Sequence, residues 1–166
     1  MRRLILMRHA KSSWSDEHPD DFDRPLNKRG YRDAPLMGGL LASQVLTPDR
    51  IVTSSARRAA ETAACVASAS GFQGELLVTR ELYLAPPESY FEVAARQRDE
   101  WQRLLLIGHN PGITDLVREL SGEPRHMSTA TLAQFELEIE SWSELRRATR
   151  CRLRSFWRPA DLEHLP

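Results

Sequence analysis

Two short apolar runs constrain this chain more than anything else in it: residues 4–7 (Leu-Ile-Leu-Met) and residues 104–107 (Leu-Leu-Leu-Ile). Neither alternates. A strand that is apolar at every position has to be buried on both faces, which is the situation of an inner strand in a parallel sheet covered by helices. Both runs stop at polar groups, the first at Arg8 and His9, the second at Gly108 and His109. A third short strand, residues 50–53, is closed by Ser54 and Ser55 and leads into an alanine-rich helical stretch over residues 56–69. Residues 76–78 read as a further strand. Helical periodicity fills the spaces between. Asn27 is a candidate N-cap for a helix with Met37, Leu40, Leu41 and Val45 on one face, in which Pro35 predicts a kink or a late start. Residues 87–98 carry Tyr90, Phe91, Val93 and Ala94 on an apolar side, and Ile113, Leu116, Val117 and Leu120 come after Gly112 at helical spacing.

The last quarter changes character. Phe135, Leu137 and Ile139 alternate with Glu136, Glu138 and Glu140, while Cys151 and Leu153 alternate with Arg150, Arg152 and Arg154. These are half-exposed strands. Antiparallel pairing is expected to set Glu140 against Arg150, Glu138 against Arg152 and Glu136 against Arg154, so that the arginine stripe is answered on its own sheet face. An RNA-binding role for that stripe is disfavoured accordingly.

Strands alternating with helices predict an α/β fold, a three-layer αβα sandwich with a mostly parallel central sheet, formed as a single domain over residues 1–166. In such sheets ligands bind beyond the carboxyl ends of the strands, where Arg8, His9, the turn at residues 54–58 and residues 108–110 all fall. The 23 basic and 23 acidic side chains cancel, which removes any general attraction to nucleic acid or an acidic membrane. Cys65 and Cys151 stand in no disulfide or metal spacing, as expected of a reducing compartment. The N-terminal residues begin like a signal peptide, but the apolar run ends at Met7, short of the roughly 7 to 15 residues such a segment needs. With no apolar stretch of membrane-spanning length, a cytoplasmic location is expected.

Two arginines and two histidines delivered to one sheet edge suit a phosphate-like dianion, because guanidinium groups match phosphate oxygens in bidentate fashion. Arg57 and Arg58 also read as plain helix decoration, and Gly108 to Gly112 as an ordinary strand-to-helix turn; it is their joint occurrence that points to a site. No HExxH, no Cys/His pair at ligand spacing and no carboxylate grouping suggests a metal, and no GxxxxGK[ST] suggests a nucleotide loop, so no cofactor is expected.

The strings LMRHAKSSW (residues 6–14), DFDRPLNKRGYRDAPLMG (21–38), SSARRAAET (54–62) and GHNPG (108–112) closely resemble the histidine phosphatase superfamily, and in particular its SixA-type phosphohistidine phosphatase branch. The resemblance covers essentially the whole chain. It implies a phosphoglycerate mutase-like sandwich in which His9 is the nucleophile, Arg8 and Arg58 hold the phosphoryl group, and His109 donates to a phosphoryl oxygen. Arg58 rather than Arg57 fits the family's RAxxT pattern. Ser12 and Ser15 stand where relatives contact substrate, although Ser15 replaces an asparagine and Ala10 a glycine of the mutase-like pattern.

The implied reaction is metal-independent: neutral His9 attacks phosphorus, and water then opens the phosphohistidine intermediate. His9 must be neutral and His109 is expected to be protonated, giving a bell-shaped rate profile near neutrality. Glu81 is the candidate proton donor for an ester leaving group, a plain surface residue being the alternative. A phosphohistidine substrate leaves as imidazole, of pKa about 6.5, and depends less on such a donor. The expected substrate is therefore a phosphorylated protein, for instance a histidine-containing phosphotransfer domain, with a small phosphate ester as the alternative.

Overall fold

The computed structural model describes residues 1–14 and 20–163. Its elements run β1 (Arg2–Arg8), α1 (Lys28–Ser43), β2 (Arg50–Ser54), α2 (Arg57–Ser70), β3 (Leu76–Thr79), α3 (Pro87–Ala95), β4 (Arg103–Gly108), α4 (Gly112–Ser121), β5 (Leu132–Leu137), β6 (Cys151–Trp157) and α5 (Pro159–Leu162). The described strands form a six-stranded sheet in the order β3-β2-β4-β1-β5-β6. β3, β2, β4 and β1 are mutually parallel; β5 runs antiparallel to β1, and β6 antiparallel to β5.

The uniformly apolar runs feed two cores at once. Leu4 and Leu6 of β1, Val52 of β2 and Leu104 and Leu106 of β4 pack with Phe91, Ile113, Leu116 and Val117 of α3 and α4. Ile5, Met7, Ile51, Leu105 and Ile107 point the other way and pack with Ala34, Met37 and Leu41 of α1 and Ala59, Ala63 and Val66 of α2. This is the three-layer sandwich expected from the sequence. The alanines of α2 let α1 approach closely, and a Cβ added to Gly38 would lie 2.8 Å from the Val66 carbonyl oxygen.

Asn27 caps α1 as expected, its side chain accepting from the Gly30 amide. The helix starts at Lys28 and runs through Pro35, so no late start occurs. Pro35 removes one helical N–H, a loss tolerated while Ala34, Met37 and Leu41 anchor the helix on the sheet. α3 ends at Ala95, earlier than its apolar pattern suggested.

The β5–β6 register differs from expectation. Glu136 faces Arg152 rather than Arg154, and the Glu138 amide bonds the Arg150 carbonyl at 3.0 Å. The register is offset by two, and an irregularity lies between Gln134 and Phe135. A bulge inverts the side-chain alternation beyond it, which explains why Cys151, Leu153 and Phe156 pack on one core and Trp157 on the other. Opposite charges still meet across the strands, Arg154 Nε lying 3.4 Å from Glu136.

Leu106 sits in the middle of β4 with no exposed surface. Leu106→Ala is expected to cost about 2–5 kcal/mol, measured as the loss of unfolding free energy in urea; a loss well below 1 kcal/mol would contradict the two-sided burial described.

Candidate active site

Arg8 ends β1, and its neighbour His9 is held by a backbone bond from its amide to the Gly108 carbonyl (3.1 Å) at the end of β4. The strand ends are thus tied together at the point where both histidines emerge. Gly108 has a steric reason: a Cβ there would lie 1.9 Å from the Tyr90 hydroxyl, which accepts a hydrogen bond from the His109 amide at 3.1 Å. Thr62 fixes the other side. Its hydroxyl accepts from the Ala10 amide (3.0 Å) and donates to the Arg58 carbonyl (2.7 Å), joining the loop after β1 to α2.

Within this frame His9, Arg58 and His109 form one buried cluster, 6%, 2% and 1% exposed. The His9 Nδ1 lies 2.7 Å from the Ala10 carbonyl oxygen, which only accepts, so Nδ1 carries the proton and Nε2 keeps its lone pair. Arg58 Nε donates to that Nε2 at 3.3 Å. Arg58 Nη2 lies 3.2 Å from His109 Nδ1, and the guanidinium being always a donor, Nδ1 accepts. The His109 proton therefore sits on Nε2 and is donated to Ser54 Oγ at 2.7 Å. The two imidazole rings are 5.1 Å apart. Arg8 reaches the Met127 carbonyl with Nη1 (3.3 Å), while its Nε is buried without a hydrogen-bond partner among the described residues.

Sequence reasoning overlooked Asp21, Arg24 and Tyr83. Asp21 opens a 3-10 turn, Asp21–Asp23, and lies over the cluster: its Oδ2 accepts from Arg58 Nη2 (3.0 Å) and the Tyr83 hydroxyl (2.7 Å). Its Oδ1 accepts from Arg24 Nε (3.2 Å) and Nη2 (3.0 Å), and its backbone carbonyl accepts from Arg58 Nη1 (2.6 Å). The Tyr83 ring meets His109 edge-on at 5.6 Å. Asp21 and Arg24 both stand in the DFDRPL string, whereas nothing local marks Tyr83.

The remaining expected residues separate. Arg57 is half exposed and pairs with Glu61 at 3.3 Å, so Arg58 alone of the two joins the cluster. Ser12 is buried, and its hydroxyl oxygen takes a hydrogen bond from Arg24 Nη1 at 2.8 Å, which engages it in holding Arg24. Glu81 is exposed; its carboxylate is paired with Arg96 (2.5 Å) and shares a contact with Thr79, so the structure does not bring it into the cluster. Ser15 lies outside the described residues. Among the described residues no three His, Cys, Asp or Glu side chains come together as a metal site.

The electrostatics correct one expectation. Burial, and then the charges of His109, Arg58 and Arg8, hold His9 well below the ordinary histidine value, against the Ala10 hydrogen bond that opposes them. Burial, followed by Arg58, brings His109 down to about 3. Both rings are neutral near neutrality, rather than one neutral and one protonated, because both share the same dry pocket with the same guanidinium. For Asp21, burial pushes upward, but the Tyr83 hydroxyl, Arg58 and Arg24 outweigh it and hold the carboxyl at about 2.

These protonation states make stability depend on pH. Below the ordinary value of 6.5 the unfolded histidine binds a proton that folded His109 refuses until about 3, so folding stability is lost as pH falls through that window. His109→Gln is expected to flatten part of this loss in urea titrations between pH 6.5 and 3; an unchanged slope would contradict a neutral buried His109.

Comparison with known proteins identifies the family and the fold. Residues 4–105 match the model of the histidine phosphatase superfamily (branch 1). An uncharacterized protein of Mycobacterium leprae is 36% identical over 119 residues, 70% of this chain and 71% of that one. The structure named as a SixA phosphohistidine phosphatase from Agrobacterium tumefaciens superposes with a TM-score of 0.81 at 30% identity, over 95% of this chain and 98% of that chain. A second structure so named, from Nakamurella multipartitia, gives 0.84 at 26% identity over 95% and 96%. With two histidines and a buried arginine gathered at the carboxyl edge of a mostly parallel sheet, the chain belongs to the histidine phosphatase superfamily, as a phosphatase of its SixA-type branch.

Proposed function

We propose that the chain removes the phosphoryl group from phosphohistidine on a protein, by way of a phosphohistidine intermediate on His9 and without a metal. The observation that carries this is the state of His9: buried, neutral, its proton fixed on Nδ1 and its Nε2 lone pair turned toward Arg58. Once Arg58 Nε turns from Nε2 to a phosphoryl oxygen, that lone pair is free to attack phosphorus.

In the first step the Nε2 lone pair forms the new N–P bond as the bond from phosphorus to the substrate nitrogen breaks, and the departing nitrogen takes that electron pair. Arg58 and Arg8 offset the charge on the phosphoryl oxygens. His109 starts neutral, but a phosphoryl dianion beside it raises its affinity for a proton, so donation to a phosphoryl oxygen belongs to the complex rather than to the free enzyme. In the second step water adds to phosphorus, His9 recovers its lone pair, and phosphate leaves.

The choice of a nitrogen-linked substrate is supported by Glu81, whose carboxylate is committed to Arg96 rather than to the cluster. An alkoxide leaving group needs a proton donor there; an imidazole needs one far less. A protein as substrate is supported by the mouth of the site. Trp14, stacked on Arg24 with the guanidinium carbon 3.6 Å from its ring centroid, is 76% exposed. A histidine-containing phosphotransfer domain fits both requirements. The balanced charge and two free thiols fit a cytoplasmic enzyme.

Phosphate release should be fast from a phosphohistidine-bearing phosphotransfer protein and slow from small phosphate esters, and should be abolished by His9→Ala. Release from esters alone would contradict the proposal and make the chain a metabolite phosphomonoesterase. Glu81→Gln is expected to leave release from the phosphoprotein unchanged; its loss would restore Glu81 as the proton donor.

A further inference from the structure

Asp21 is bound more completely than a loop carboxylate needs to be. Its two oxygens take four donors, Arg24 Nε and Nη2 on Oδ1 and Arg58 Nη2 and the Tyr83 hydroxyl on Oδ2, which uses all the lone-pair positions a carboxylate offers. Its side chain is 40% exposed, whereas Arg58 beneath it is 2% exposed. The carboxylate thus closes the solvent side of a cluster whose deepest members are the two histidines and Arg58. An anion already rests on the arginine that a phosphoryl group would need.

A leaving group displaced by His9 Nε2 departs from the side opposite that nitrogen, and one that departs toward solvent passes Asp21, which stands over Arg58 at the open side of the cluster. When Arg58 Nη2 turns to a phosphoryl oxygen it releases Oδ2, which keeps its bond from Tyr83 and gains one free acceptor position. We propose that Asp21 is a specificity residue that reads the leaving group: the carboxylate position vacated by Arg58 accepts the N–H of a protonated phosphoimidazole ring. The idea rests on the phosphohistidine role proposed above and adds a substrate class to it, a cationic nitrogen-linked phosphoryl donor.

The chemistry balances. The protonated ring carries phosphorus on one nitrogen and hydrogen on the other. As His9 Nε2 bonds to phosphorus, the first nitrogen keeps the pair from the broken N–P bond and the second keeps its hydrogen, so the ring leaves as neutral imidazole. His9, with a proton on Nδ1 and phosphorus on Nε2, becomes the cation. Asp21 neither gives nor takes a proton, which agrees with a carboxyl ionised down to about 2. A phenolate or alkoxide leaving group, being anionic, is repelled by the same oxygen.

The test compares wild type with Asp21→Asn on the amino acid phosphohistidine and on p-nitrophenyl phosphate, whose leaving nitrophenolate also departs without a proton donor. The expected result is a fall in kcat/KM of about tenfold or more for phosphohistidine, the size of a lost hydrogen bond to a charged group, together with a lower KM for the ester because the competing carboxylate charge is gone. Tyr83→Phe keeps the carboxylate charge and removes the bond that holds Oδ2 in place, so it should lower kcat/KM for phosphohistidine by less and leave the ester KM unchanged, and it decides the matter if Asp21→Asn does not fold. Equal changes on both substrates, or none, would overturn the role of Asp21 while leaving the phosphohistidine phosphatase standing. A wild type inactive on phosphohistidine, both as amino acid and on protein, would overturn both.

Discussion

The site depends on one buried cation. Arg58 is 2% exposed, and each of its nitrogens has a partner: Nε meets His9, Nη1 the Asp21 carbonyl, and Nη2 both the Asp21 carboxylate and His109. Taking a guanidinium out of water costs several kcal/mol unless its donors are satisfied. Asp21 supplies that satisfaction through its carboxylate and its backbone carbonyl; in the proposed complex a phosphoryl dianion would share the task. The same constraint orders the neighbours. Thr62 pins the Arg58 backbone to the loop after β1, Ser54 orients His109, and Tyr90 anchors the His109 amide over a glycine that must be a glycine. The anion site follows from burying one positive charge; the neutrality of the two histidines follows first from their own burial, to which Arg58 adds.

Much of this was legible from short-range signals. Residues 4–7 and 104–107 are apolar at every position because each strand faces two cores, and the polar residues directly after each run, Arg8 with His9 and Gly108 with His109, stand at the sheet's edge. The Asn27 cap is equally local. Other features depended on distant parts of the chain. The β5–β6 register turned on an irregularity opposite Leu153 and Ser155 that strict alternation cannot express. Tyr83 and Asp21 are 62 positions apart and meet only once the sheet is assembled. Glu81 has the residue type of a proton donor, but its direction is set by Arg96 on another element.

The protonation of the two histidines was the clearest difference between residue type and environment. Assigning one neutral and one protonated ring suits their chemical roles, yet both lie in the same dry pocket beside the same guanidinium, and burial acts on both in the same direction. In the free protein both rings are therefore neutral, and under the proposed mechanism the charge that helps the transition state is recruited by the phosphoryl dianion. Asp21, with its side chain 40% exposed over a buried Arg58, is the group proposed to exchange partners between those two states.

The central claim is that the phosphoryl group passes through His9. The most direct measurement is to quench the reaction in alkali, where phosphohistidine survives, and map the phosphorylated residue by mass spectrometry. Phosphate on His9 is the predicted result. A protein that turns over substrate yet carries phosphate on His109, or on no residue, would contradict it.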